Sequence, residues 1–339
     1  MTSSPVTRGS QRLYLAGLQQ GGRGAEASQT NPNAMVMANV QYPWMLESYH
    51  YIGNKYRLLD GIRERKETIF LDSGAFSMFT LGIDVDLQAY ARFIDEYADI
   101  IHIASNIDAI GAGNEQKSYD NLVEIEAART GDTVDVCPVH HARDSDEWLV
   151  RYLEQGYDYI FLGGMVPETT QYLIQWLDHI WPRYLTNPDG TAKVKIHGFG
   201  ITGENILLRY PWYSVDSTAW NARARYGMIM LDLPGHREID LHFSDKSAQQ
   251  YKDNSWHYNT LKAPERRRVL QRLEELEAAR IKEPDLEKWL EDKTGMKQGY
   301  YPETLAQMTG WRNHFNVGYF ARTQKRMVQT FTVEQETFF

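Results

Sequence analysis

A single cysteine, Cys137, in a chain of 339 residues excludes an internal disulfide and a zinc site built on several thiols. It sits in an apolar run, where a buried, inert thiol is expected. No stretch approaches the roughly 18 consecutive apolar residues that would span a bilayer, and the N-terminus lacks the basic-then-apolar order of an export signal. A soluble cytoplasmic protein with no membrane partner is therefore expected. Positive charge is scarce too: 36 Lys and Arg against 45 Asp and Glu leave a formal net charge of −9. That excludes nucleic-acid binding through overall charge, so any such contact must be local. No Gly-x-Gly-x-x-Gly opens a helix after the first strand, and no His-x-x-x-His spacing supports a metal site. Neither a cofactor nor a metal is expected.

What is present is a repeating unit. With 42% hydrophobic residues the chain can bury a full core. From Thr68 onward, short apolar runs end in polar or glycine-rich residues: Asp72-Ser73-Gly74, Asn106-Ile107-Asp108, His140-His141, Gly163-Gly164-Met165, His197-Gly198 and Asp216-Ser217. Helical patterns separate them, such as Leu87, Tyr90, Ala91, Phe93, Ile94 and Tyr97 behind Asp86 as cap. Alternating strands and helices imply βαβ units, a parallel sheet and all strand ends on one face. The expectation is α/β: a TIM-type (β/α)8 barrel over residues 1–235 and a mainly helical extension over 236–339. A doubly wound open sheet is the alternative. Seven strands are counted, the first over Arg12–Leu18; the eighth is assigned either to Gly227–Leu231 or to Phe315–Phe320. Residues 19–33 read as a long loop, and 35–52 as helix or strand.

Separated carboxylates at strand ends, Asp72, Asp108 and Asp216, suit displacement at a sugar carbon: one attacks or stabilises the cationic centre and another moves the proton. Blander roles compete. Asp108 can cap the next helix, His140 and His141 can be hydrogen-bonded structural residues, and His197 before Gly198 can simply turn the strand.

The Asp72-Ser73-Gly74-Ala75-Phe76 run resembles the Asp-Ser-Gly-Gly-Phe motif of the queuine and archaeosine tRNA-guanine transglycosylases, with Ala75 in place of the second Gly. Leu162-Gly163-Gly164-Met165 is similar to their base-binding turn, and Val215-Asp216-Ser217 is placed like their nucleophile. With Lys195–Ile201 and Tyr213–Trp220, the set over about 68–232 looks closest to the transglycosylase-like proteins of bacteriophages, relatives of enzymes that place 7-deazaguanines in DNA. The resemblance implies that Asp216 is the nucleophile and Asp72 the general acid/base. Asp108 would bind the guanine-like edge, with Gly163 and Gly164 beside it and His140 where the family usually has a glutamine. Ser73, Phe76, Met165 and His197 join the expected substrate contacts. Arg223 and Arg225 are the expected nucleic-acid contacts, and Arg266-Arg267-Arg268 is a further basic cluster. The implied partners are DNA or, second, tRNA, and a 7-deazaguanine base such as preQ0; a homodimer is left open, and the location would be the host cytoplasm for a phage-encoded chain. Two departures stand out: the family's zinc site is impossible with one cysteine, and the chain is acidic. An N-glycosidase and a non-catalytic binding barrel are the competing functions.

Overall fold

The computed structural model describes residues 11–20, 32–38, 40–83, 85–111, 113–165, 168–188, 190–201, 203–233, 238–247, 256–280 and 295–333. Most of the expected 19–33 loop, and part of the extension expected to be mainly helical, lie outside them. The chain forms two compact units: Met1–Gly17 with Pro43–Ser217 and Gln324–Phe339, and Leu18–Tyr42 with Thr218–Thr323.

The first unit is the barrel. Its strands are β1 (Arg12–Ala16), β2 (Met45–Ser48), β3 (Ile69–Asp72), β4 (Ile101–Ser105), β5 (Val136–Cys137), β6 (Val139–His141), β7 (Tyr159–Gly163), β8 (Lys195–Gly198) and β9 (Ser214–Ser217). They pair in the order β5-β4-β3-β2-β1-β9-β8-β7-β6, every neighbour parallel. β5 and β6 are two halves of one extended run. Pro138, which has no N–H to donate, divides them, and its carbonyl accepts from Phe161 N at 3.0 Å. β5 pairs with β4 and β6 with β7, so the ring closes through this run, and the doubly wound alternative falls.

Ile69, Phe70 and Leu71 are all fully buried, as strands covered on both faces require. The helices lie where the 3.6-residue period puts them. Leu87–Glu96 buries Tyr90, Ala91, Phe93 and Ile94, and Asp86 caps it by accepting from Ala89 N at 2.9 Å. Thr170–Ile180 buries Leu173, Trp176, Leu177 and Ile180, with Thr169 as cap. Inside the ring, Tyr14, Phe70, Phe161 and Tyr159 pack with Leu46, Ile103 and Val139.

Both assignments of the eighth strand are overturned. The eighth strand is β2, in the segment where helix and strand could not be separated. Gly227–Leu231 contributes instead to β10 (Met228–Asp232), antiparallel to β11 (Glu238–His242) in a separate two-stranded sheet of the second unit. Phe315–Phe320 lies inside the helix Thr309–Val333, where Trp311, Phe315 and Tyr319 recur every four residues and are all buried. In the second unit, Ile229, Leu231, Leu241 and Phe243 share a core with Val269 and Leu273 of the helix Ala263–Ala279 and with Trp311 and Phe315. No helix among the described residues is long and apolar enough to cross a membrane.

Candidate active site

Parallel strands deliver all their C-terminal ends to one rim. Asp72 is the last residue of β3, Asp108 lies three residues beyond β4, and Asp216 is the third residue of β9. The three are close enough to interact: burial first, then the charges of Asp108 and Asp216, push the Asp72 carboxyl up to about 7. The Ser48 hydroxyl and the Gly74 N–H, which donates to Asp72 Oδ2 at 3.1 Å, oppose the shift without cancelling it. Asp72 is thereby poised to hold and release a proton near neutral pH. Gly74 has φ of 79°, and a Cβ there would stand 2.5 Å from Ser48 Oγ and 2.6 Å from His50 Cβ, so the turn after Asp72 needs glycine. Ser73 is buried; its N–H donates to Ser105 Oγ at 2.8 Å and its hydroxyl accepts from Ala75 N at 3.3 Å.

At Asp108 the structure supplies a partner that the sequence did not name. The histidine that meets it is His141, whose Nε2 is 2.6 Å from Asp108 Oδ2. His140 points the other way, as alternation along β6 demands: Val139 and His141 share a face, and the fully buried His140 ring stacks on Trp176, 6.2 Å between centroids. Burial holds His140 down to about 4, and neither ring nitrogen has a hydrogen-bonding partner. It lines the layer between strand and helix rather than the rim. Burial also works against a charged His141, but the Asp108 carboxylate, helped by Asp144, outweighs it and the imidazole pKa is raised. The Gly163–Gly164 pair makes room for this ring. A Cβ on Gly163 would lie 2.8 Å from His141 Cδ2, and one on Gly164, at φ of 65°, 3.0 Å from His141 Cβ.

Asp216 is nearly buried and accepts from Gly200 N at 2.8 Å through Oδ1. His197 Nε2 stands 3.4 Å from the same oxygen. The His197 ring is fully buried among Phe70, Phe161 and Phe199, so it supports Asp216 from within the barrel rather than lining the mouth as a substrate contact. Its Nδ1 is 2.5 Å from Ser214 Oγ, which is 2.5 Å from the Tyr159 hydroxyl. Sequence reasoning missed His141 as the partner of Asp108, and missed Ser214 and Tyr159 altogether. Period two was the available signal, since Ser214 and Asp216, like Tyr159, Phe161 and Gly163, occupy alternate positions of one strand.

Met165 is buried. Phe76 is 60% exposed on the helix Ala75–Leu81, which leaves the rim directly after Gly74; Phe79 and Leu81 on the same helix are exposed too, as is Tyr51, whose hydroxyl is 3.2 Å from Ser77 Oγ. Arg223 and Arg225 belong to the helix Ala219–Arg225 of the second unit. Arg223 is ion-paired with Asp240 at 3.1 Å, whereas Arg225 is exposed. Among the described residues no group of three or more His, Cys, Asp or Glu is arranged to hold a metal ion.

No protein-family model matches the chain, and no curated protein matches it. Among solved structures it is similar to the tryptophan synthase alpha chain of Legionella pneumophila subsp. pneumophila, at 8% identity and a TM-score of 0.37, covering 63% of this chain and 82% of that one. A mutant tryptophan synthase alpha-subunit from the hyperthermophile Pyrococcus furiosus matches at 12% identity and a TM-score of 0.37, covering 65% and 91%. At these values the likeness carries no statement about chemistry.

Proposed function

We propose that the protein is a transglycosylase that exchanges guanine in nucleic acid, DNA before tRNA, for a 7-deazaguanine base through an aspartyl-glycosyl intermediate. The observation that carries this reading is the convergence of Asp72, Asp108 and Asp216 on one barrel rim, with separate partners around each. Asp216 attacks C1′ while the bond to the base nitrogen breaks, and its electron pair leaves with the base. Asp72 supplies the proton that neutralises the departing base. The incoming base then returns an N–H proton to Asp72, bonds to C1′ and expels Asp216. Asp108 accepts from the N–H donors of the aminopyrimidinone edge, and His141 holds it in place. The aromatic side chains of Phe76, Phe79 and Tyr51 beside the rim supply stacking surface for bases next to the exchanged one.

The test is incubation with guanine-labelled DNA and tRNA, with and without 7-deazaguanine bases, followed by nucleoside analysis. Label release that requires the added base supports exchange. Release into water without exchange would make the protein an N-glycosidase, and no release from either nucleic acid would leave a binding barrel.

A further inference from the structure

We propose that Tyr159, Ser214 and His197 form a proton-ordering chain through the barrel interior that dedicates Oδ1 of Asp216 to hydrogen bonding and presents Oδ2 as the reacting oxygen. The inference deepens the function proposed above and rests on its use of Asp216 as nucleophile.

Three strands contribute one member each: Tyr159 from β7, His197 from β8 and Ser214 from β9. His197 and Ser214 face each other in register. All three side chains are buried, and the chain passes between the rings of Phe70, Phe161 and Phe199. Polar groups in such a layer must satisfy one another, because a donor or acceptor left alone there is costly.

The direction of the chain follows from its far end. His197 Nε2 is buried without a hydrogen bond, and Asp216 Oδ1 lies 3.4 Å from it. If Nε2 carried a lone pair, two acceptors would face each other in a buried space; with a proton on Nε2, a donor faces a carboxylate. Burial lowers the His197 pKa against the opposing pull of Asp216, so the ring is neutral and carries one proton. Placing that proton on Nε2 leaves Nδ1 as acceptor for the Ser214 hydroxyl, and Ser214 Oγ as acceptor for the Tyr159 hydroxyl. Every proton then points towards Asp216.

The consequence lies in the carboxylate itself. Oδ1 receives the Gly200 N–H and faces the His197 Nε2–H at 3.4 Å, so Oδ2 is the oxygen left to form the bond to C1′. In the ester, Oδ1 becomes the carbonyl oxygen and stays between the same donors. When the incoming base bonds to C1′ and the C1′–Oδ2 bond breaks, the electron pair returns to the carboxylate and the two donors receive its charge. His197 is a positioning residue: it touches Asp216 and acts through it.

Two measurements test the chain on the intact protein. The first is ¹⁵N NMR of the imidazole nitrogens, with His197 assigned by comparison with His197→Gln. The expected result is a neutral ring protonated at Nε2, and in Ser214→Ala a change in the Nδ1 signal as its donor is lost. A proton on Nδ1 in the wild type would overturn the proposal whatever the protein catalyses, so this arm decides it even if base exchange fails. The second is steady-state exchange. His197→Leu should lower kcat by about 10- to 100-fold, the effect of one hydrogen bond to a charged group, with KM for the base held by Asp108 little changed. His197→Gln, whose amide can reach Oδ1 from the same position, should recover part of the loss. Equal kcat in the Leu, Gln and wild-type proteins, with unaltered melting temperatures, would also overturn it.

Discussion

The two ends of the barrel handle charge in opposite ways. At the N-terminal ends of the strands, Arg12 lies over the rings of Trp44 and Tyr213, 4.3 and 5.0 Å from their centroids, and Lys195 lies over Tyr159 and Tyr213 at 5.9 and 5.7 Å. Each cation there meets a negative aromatic face, an arrangement that stabilises both. At the C-terminal rim Asp108, beside one histidine, and Asp216, beside another, act on Asp72, and its burial together with their charges keeps a proton on it near neutrality. Stability alone gives no reason for such a cluster. The closed end reads as scaffold and the rim as the place where destabilisation is retained for chemistry.

That contrast can be broken most directly at Asp216. Asp216→Asn keeps the shape and removes the charge, so base exchange should fall by about 10² to 10⁴ with the fold intact. Denaturation during turnover should trap nucleic acid on the wild type and not on the variant. Normal exchange by the Asn protein would identify a different nucleophile. Asp108→Asn should cost about 10- to 100-fold in kcat/KM for the incoming base, as one charged hydrogen bond is lost. The same change removes a like charge, so the carboxyl signal of Asp72 should titrate at lower pH by NMR; an unmoved Asp72 would separate the two groups.

Asp72→Asn sharpens the contrast through stability. The folded protein holds the Asp72 proton up to about 7 while the unfolded chain releases it near the ordinary carboxylate value, so the native state binds more protons between those limits. Stability from this group is present at low pH and is lost as pH rises through 7. The Asn variant should therefore be more stable than wild type at pH 8 by on the order of 2 kcal/mol in urea denaturation, with a smaller advantage at pH 5. The smallest effect is expected at the closed end. Arg12→Met keeps much of the stem but loses the cation, which should cost about 1 kcal/mol of stability and leave exchange unchanged. A large loss of activity there would mean that the two ends are not separable.

The parts of this architecture that were legible are those where polarity changes abruptly along the chain. Asp72 and Asp216 each end an apolar run, and that signature located both the strands and the rim. β2 was illegible because Met45–Ser48 is only four residues long and passes straight into the helix Tyr49–Ile52, leaving no room for a period to show. The misplaced eighth strand follows from that gap, since Met228–Asp232 is as apolar as any barrel strand and differs only in pairing antiparallel. Choosing between His140 and His141 required the phase of a strand interrupted by Pro138, and adjacent histidines gave no help. Ser214 and Tyr159 carry no local motif; their importance lies in contacts across strands.

The interruption at Pro138 also marks a seam in the hoop. On one side of it β4 and β5 are in register at only two positions, on the other β6 and β7 at three, and the proline itself contributes no N–H. Asp108 follows β4 and His141 ends β6, so their 2.6 Å contact is a clasp across this seam. Loss of the Asp108 carboxylate would loosen this clasp at the seam. Amide exchange at Val139 to His141 should therefore quicken when Asp108 is replaced by Asn.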